Sequence, residues 1–491
     1  MRSLDPQKTT SGSSSVFSRR VTSLVVSTAL VPVIAVSTAV PALADPCSTY
    51  NAAVNAEIAR LRALGEIKPG SFSSSGLSSS EPEQFDPHVD DPAAFEGTGK
   101  KLPPWIRGNP GQLPVIKGHT EALHLLTGPG SPQRTHRSFR IGGTDLGIAF
   151  DDSAGNTYLV FGDTMGCGSS LDWRSNALLR TKDHNYADQL TGLQALTPSG
   201  WSSQGYAREF IPSLKEPGVE HTTIPTAGVE VNGVLYVDYM SVRSWGAPGE
   251  WTTNYAATMR STDGGRTWRK MVDSERINPQ VRGAYGTSSR RVRVGDEKTQ
   301  MSAFVKADGY VYRYSTPSGR GGSAIVSRVK QADFPDESAF EFLVGDQWVK
   351  GAPNLATPVF DAPVSEMSVS YNDFLRRYTA MYYTNGGLVL RTSTTPYGPW
   401  SEQRVVVDTG TIPGLYGGFL LPRADSKYLY FVATTWDNYN VMLMRTDLEQ
   451  LTSHGARGLR SAVPMRQSGQ PDYDPRVDDG LTVVDWVRFE E

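Results

Sequence analysis

The chain reads as all-β, a five-bladed β-propeller behind an N-terminal helical and linker extension. Three observations point there. From about Thr120, short runs rich in Val, Tyr, Phe and Leu alternate with turn residues, at 157–161, 234–240, 310–314, 378–383, 389–392, 428–433 and 441–445. No helical stretch long enough for a parallel crossover lies between them. The units recur every roughly 40 to 70 residues, as propeller blades do, and the length after Thr120 suits five blades with long insertions. A β-sandwich with appended sheets is the competing architecture.

Composition narrows the function classes. The 491 residues carry 48 Lys plus Arg against 51 Asp plus Glu, a net charge of −3, so nothing marks a nucleic-acid partner. With two Cys and seven scattered His, neither a disulfide scaffold nor a Cys-based zinc site is available. No cofactor is expected. A structural Ca²⁺ in the channel stays open, although no Ca²⁺ loop pattern appears.

The elements follow in order. Residues 1–44 read as an export signal: Arg19-Arg20, an apolar run over 21–40, then Ala42 and Ala44 as small residues before a cleavage point. An uncleaved anchor is the alternative. A secreted or envelope-associated protein follows, with no stable membrane insertion after cleavage. Residues 45–119 hold a short helix over 51–64, with Val54, Ile58, Leu61 and Leu64 at near-helical spacing, then a Ser-, Gly- and Pro-rich linker. In an oxidising compartment, Cys47 and Cys167 are expected to form one disulfide; two unpaired buried thiols are the other reading. Residues 120–491 form the propeller. Within it, Ser261 to Trp268 fits the SxDxGxTW blade turn, in which Asp263 caps backbone N–H groups and the two glycines relieve the turn. That turn is structural and carries no chemistry. A similar turn runs from Arg391 to Trp400.

The chemistry concentrates on one hairpin. The turn Asp151-Asp-Ser-Ala-Gly-Asn156 joins two strand-like flanks. Asp145 and Asp163 stand equally far from its centre, so they meet at the open end if no bulge shifts the register. Two adjacent carboxyls disfavour each other's ionisation; one can keep a proton while the other stays charged. Glycoside hydrolysis needs that pair, an acid for the leaving oxygen and a base for water. Two turn-capping aspartates are the bland alternative. Asp145 is assigned as base and Asp163 as acid. Glu366, just before an alternating strand, is a third carboxylate placed to enter the cleft. Arg174, Asn176 and His221 are candidates to bind sugar hydroxyls or orient a carboxylate. Trp173, Trp245, Trp436 and Tyr416 are candidates for stacking on sugar rings.

The segments Gly142-Gly-Thr-Asp-Leu-Gly147, Phe161-Gly-Asp-Thr164, Glu366 in SEMSVSYN and Tyr416-Gly-Gly-Phe-Leu-Leu-Pro422 resemble the DUF4185 family over about Ser138 to Leu448. The resemblance implies a five-bladed propeller and an endo-D-arabinanase of the kind placed in glycoside hydrolase family 183. The implied partner is cell-wall arabinan, in arabinogalactan or lipoarabinomannan. Two catalytic aspartates of the first blade fall, by motif, on Asp145 and Asp163. The chain departs from simpler members by its extension over 45–119. A non-catalytic wall-glycan-binding propeller is the alternative function. An exosialidase is disfavoured, because no arginine triad for a sialic carboxylate is evident. Inversion at the anomeric carbon is the preferred stereochemistry.

Overall fold

Each of the seven short runs named after Thr120 becomes the second or third strand of a sheet, where a β-branched or aromatic residue is covered on both faces. The computed structural model describes residues 112–451, apart from 129, 167–172, 287–291, 409, 413, 424–425 and 437–438, and the backbone of 482–488. The expected signal, the helix over 51–64, the linker and both cysteines lie outside the described residues.

Five antiparallel sheets make five blades. Blade 1 runs from Gly143–Asp151 through Thr157–Met165 and Ala177–Thr181 to Gln194–Thr197 and Gly200–Ser202, with Trp173–Arg174 pairing beside its second strand. Blade 2 is Thr222–Val231, Val234–Trp245, Trp251–Ser261 and Arg269–Ile277. Blade 3 starts at Met301–Ala307, blade 4 at Met367–Asn372 and blade 5 at Leu415–Leu420. The fourth strand of blade 5 comes from the other end of the domain: Thr120–Leu125 pairs antiparallel with Val441–Asp447. This closes the ring. A separate two-stranded sheet joins Gln112–Lys117 to Thr482–Arg488.

Each innermost strand contacts the innermost strands of the blades on either side, so the five line a common channel. All five enter from the same face. That face therefore collects their first residues together with the loops between second and third strands. The capping turn around Asp263 lies at the opposite face, at the end of Trp251–Ser261. There Asp263 Oδ1 accepts from the N–H groups of Arg266 and Thr267 at 3.0 and 2.9 Å, and the Trp268 indole packs at a tilt against Phe210.

Adjacent blades pack through apolar clusters. One spans blades 5, 1 and 2 around Phe150, Phe161, Val237 and Val441; others fill the junctions of blades 2 and 3, 3 and 4, and 4 and 5. The junction of blades 2 and 3 also holds a buried ion network. Arg276 of blade 2 reaches Asp238 at 2.5 Å and Glu337 of blade 3 at 3.3 Å, while Arg313 grips Glu337 with both terminal guanidinium nitrogens. Burial alone would push the Glu337 carboxyl up, but Arg313, Arg276 and Arg293 hold it at about 2. Removing one member leaves unpaired charge in the interior.

Glu337→Gln should therefore destabilise the domain by about 3–5 kcal/mol in a urea melt followed by Trp fluorescence. An unchanged midpoint would contradict the network's role. Because the folded carboxyl sits below its ordinary value, its contribution is complete above the usual carboxyl range and is lost as pH falls toward about 2.

Candidate active site

Asp145 and Asp163 do meet at the open end of the hairpin, although the strands between them are irregular. Ile148 pairs with Val160, Leu146 with Phe161 and Thr144 with Thr164. Gly147 is an extra residue on the inner strand, and the 162–163 pair supplies an extra residue on the second. The two bulges cancel, so the symmetric spacing about the turn survives. Leu146 and Gly147 take left-handed backbone conformations, φ 70° and 82°, to make the inner bulge. Gly162 lets the two acids approach: a Cβ there would sit 2.4 Å from Asp145 Oδ1, which would have to move. The Thr144 and Thr164 hydroxyls, 2.8 Å apart, tie the two strand ends together beside the acids.

Neighbouring blades complete both carboxyls. Asp145 Oδ2 accepts the hydroxyl of Tyr416, the second residue of blade 5's inner strand, at 2.9 Å. Its Oδ1 is buried and has no donor among the described residues. Asp163 Oδ1 accepts two hydrogen bonds, from Trp173 Nε1 at 2.8 Å and from the hydroxyl of Thr222, the first residue of blade 2's inner strand, at 2.9 Å.

These differences separate the two titrations. Burial pushes the Asp145 carboxyl up, the charge of Asp163 adds to it, and Tyr416 offsets only part, leaving it at about 8. Burial also raises Asp163, but its donors Trp173 and Thr222 hold it to about 6. Near neutral pH Asp145 keeps its proton and Asp163 is ionised. That order is the reverse of the base and acid roles assigned from the sequence.

Glu366 sits just before blade 4's inner strand at the same face, yet both of its oxygens are engaged. Arg320, from the loop between the second and third strands of blade 3, donates to them at 3.0 and 2.8 Å. The Arg320 guanidinium lies 4.9 Å from the Tyr416 ring centre, so Glu366 meets the acid pair through Arg320 and Tyr416. All five blades thus contribute to one site.

Of the remaining candidates, Trp245 and Trp436 are exposed at this rim, at 43% and 44%. Trp245 packs edge-on against Trp251, and Trp436 stacks against Tyr416 and against Tyr439 at ring separations of 4.8 and 5.5 Å. His221 lies beside Trp173, ring centres 5.6 Å apart, and burial lowers its pKa. Trp173 and Tyr416, read as stacking platforms, instead donate to the acids. Arg174 and Asn176 are corrected outright, because both are buried and spent on backbone groups. Arg174 donates to the carbonyls of Ala207 and Arg140 and packs over Tyr206. Asn176 accepts from the N–H groups of Phe210 and Ile211 and donates to the Ile211 and Thr223 carbonyls, leaving nothing for a sugar. Thr222, Arg320, Lys215 and Glu209 went unread. Only Arg320 carried a local signal, a lone arginine in a Gly-rich hairpin loop.

The family description "Domain of unknown function (DUF4185)" matches residues 130–445. The chain belongs to the DUF4185 family. A curated relative, notoamide biosynthesis cluster protein J of an Aspergillus species, is 27% identical over 342 residues, covering 65% of this chain and 86% of that protein. Among solved structures, a putative hydrolase of Bacteroides ovatus aligns with a TM-score of 0.43 and 14% identity, covering 65% of this chain and 89% of that one. The GH62 α-L-arabinofuranosidase catalytic domain of Coprinopsis cinerea aligns with a TM-score of 0.37 and 14% identity, over 69% and 99%. In this DUF4185 protein the matched span holds both aspartates and every side chain described around them. Among its described residues no three His, Cys, Asp or Glu side chains cluster as a metal site.

Gly162→Ala should leave the circular dichroism spectrum intact and swing the Asp145 carboxyl off Tyr416, visible in a crystal structure of the variant. An unmoved carboxyl would show that the close approach is slack.

Proposed function

We propose that this DUF4185 protein is an exported glycoside hydrolase that cuts α-D-arabinofuranosyl chains internally. The observation that carries the reading is the unequal carboxyl pair at the entry face. Asp145 holds the proton a leaving glycosidic oxygen needs, and Asp163 is the charged partner that draws a proton from water. A sugar chain would lie across the channel mouth, its rings on the exposed indoles of Trp245 and Trp436. Contacts from blade 2 on one side and blade 5 on the other suit a polymer held on both sides of the cut, hence endo cleavage. The furanose substrate rests on the family resemblance. Hydrolysis with inversion follows if Asp163 delivers water from the face opposite Asp145, which requires carboxyls roughly 6.5–9.5 Å apart.

The test is incubation of the purified protein with arabinogalactan and chromatography of the products. Oligosaccharides are expected; free arabinose alone would overturn the endo reading. Binding without turnover would favour the glycan-binding alternative. Asp145→Asn and Asp163→Asn should each stay folded and lose at least ~10²-fold in kcat/KM. Near wild-type rates in both would remove the pair from the mechanism.

The pH profile has a defined sign. The base must be ionised, so kcat/KM should rise as pH passes about 6. The acid must be protonated, so it should fall as pH passes about 8. A profile rising steadily through this window would contradict the assigned roles.

A further inference from the structure

The two carboxyls are buttressed by matching constructions on opposite sides. Asp145 accepts from the Tyr416 hydroxyl, Arg320 caps the Tyr416 ring at 4.9 Å, and Glu366 holds Arg320 through two hydrogen bonds. Asp163 accepts from the Trp173 indole, and Lys215 caps that ring at 5.1 Å. Lys215 also donates to the Trp173 carbonyl at 3.0 Å and pairs with Glu209 at 2.9 Å. Each arm is thus a carboxyl, an aromatic donor, a cation on the donor's ring and a glutamate on the cation.

We infer that Arg320 and Lys215 are positioning residues, each acting through an aromatic donor to favour the charged form of one carboxyl. The inference rests on the proposed roles of Asp145 and Asp163. A cation on a ring face polarises the ring and anchors it. Anchoring keeps the hydroxyl or indole N–H aimed at its carboxyl, and the positive charge itself favours ionisation. The other groups around Asp145 are Asp163, Glu366 and the hydroxyl of Tyr439; those around Asp163 are Asp145, Thr222 and Glu209, with the His221 ring, its pKa lowered by burial, beside Trp173. The arms differ in depth. The Arg320 and Glu366 side chains are 19% and 11% exposed, whereas Lys215 is 34% exposed. Salt should screen the second arm and spare the first.

The test reads the carboxyls directly. The full chain is labelled with ¹³C at aspartate carboxyl carbons, Asp145→Asn and Asp163→Asn supply the assignments, and titration follows each resonance. Arg320→Gln should move the Asp145 midpoint up by roughly half a pH unit or more and leave Asp163 nearly still. Lys215→Gln should move the Asp163 midpoint up, less far, with the effect fading in about 1 M salt. Arg320→Lys and Lys215→Arg should restore most of each midpoint. Glu366→Gln removes a like charge and should move Asp145 downward whatever Arg320 does; if Arg320→Gln does not fold, the Lys215→Gln midpoint and its salt dependence decide the matter. Unmoved midpoints, or both midpoints shifting together in each variant, would overturn the inference. The titrations need no substrate. Midpoints that shift as expected in a protein that cleaves no arabinan would leave the arms standing and sink the proposed function instead.

Discussion

Ring closure is the constraint on which everything else depends. Thr120–Leu125 crosses the whole domain in sequence to become the outer strand of blade 5. The closure is reinforced where blades 5 and 1 meet. Asn440 accepts from the Thr127 hydroxyl at 2.9 Å and donates to the Gly142 carbonyl at 3.2 Å, next to the strand that bears Asp145. A ring closed in this way cannot let one blade slide without moving its neighbours. The first residues of five inner strands, far apart in sequence, are held at one mouth.

That mouth is where polarity is concentrated at a cost. Two carboxyls are enclosed together, and the protein offsets their desolvation unequally. Asp163 receives two donors from two elements; Asp145 receives the Tyr416 hydroxyl, with the Tyr439 hydroxyl nearby and no donor in bonding geometry on Oδ1 among the described residues. An enclosed oxygen without a donor is a costly place for negative charge, so the proton stays on Asp145. The same rule runs with the opposite result in the ion network of blades 2 and 3. There three guanidiniums surround Glu337 and keep it charged. Burial is common to both places, and the neighbouring charges and hydrogen-bond donors decide the ionisation.

Much of this was legible in sequence because strands have a period of two. Counting outward from the turn at 151–156 found Asp145 and Asp163, and the count held because the bulges at Gly147 and at 162–163 cancel. The central strands were legible because they are apolar on both faces. The inner strands were harder to read. Thr222–Val231 contains Pro225, and Leu415–Leu420 contains Gly417 and Gly418, since channel-lining positions do not demand bulk. Arg174 and Asn176 misled because polar residues next to an acid look like ligands, while the backbone carbonyls they satisfy lie in loops brought close only by folding. Arg320, Thr222, Lys215 and Glu209 reach the site from other strands and loops, and no spacing along the chain encodes those meetings.

The central claim is that one aspartate is protonated and the other charged under working conditions. Neutron diffraction from crystals held between the two midpoints, at a pD of about 7, observes this directly. A deuteron on the Asp145 carboxyl and a bare Asp163 carboxylate is the result this account predicts. A deuteron on Asp163 with Asp145 bare, or two bare carboxylates, would contradict it.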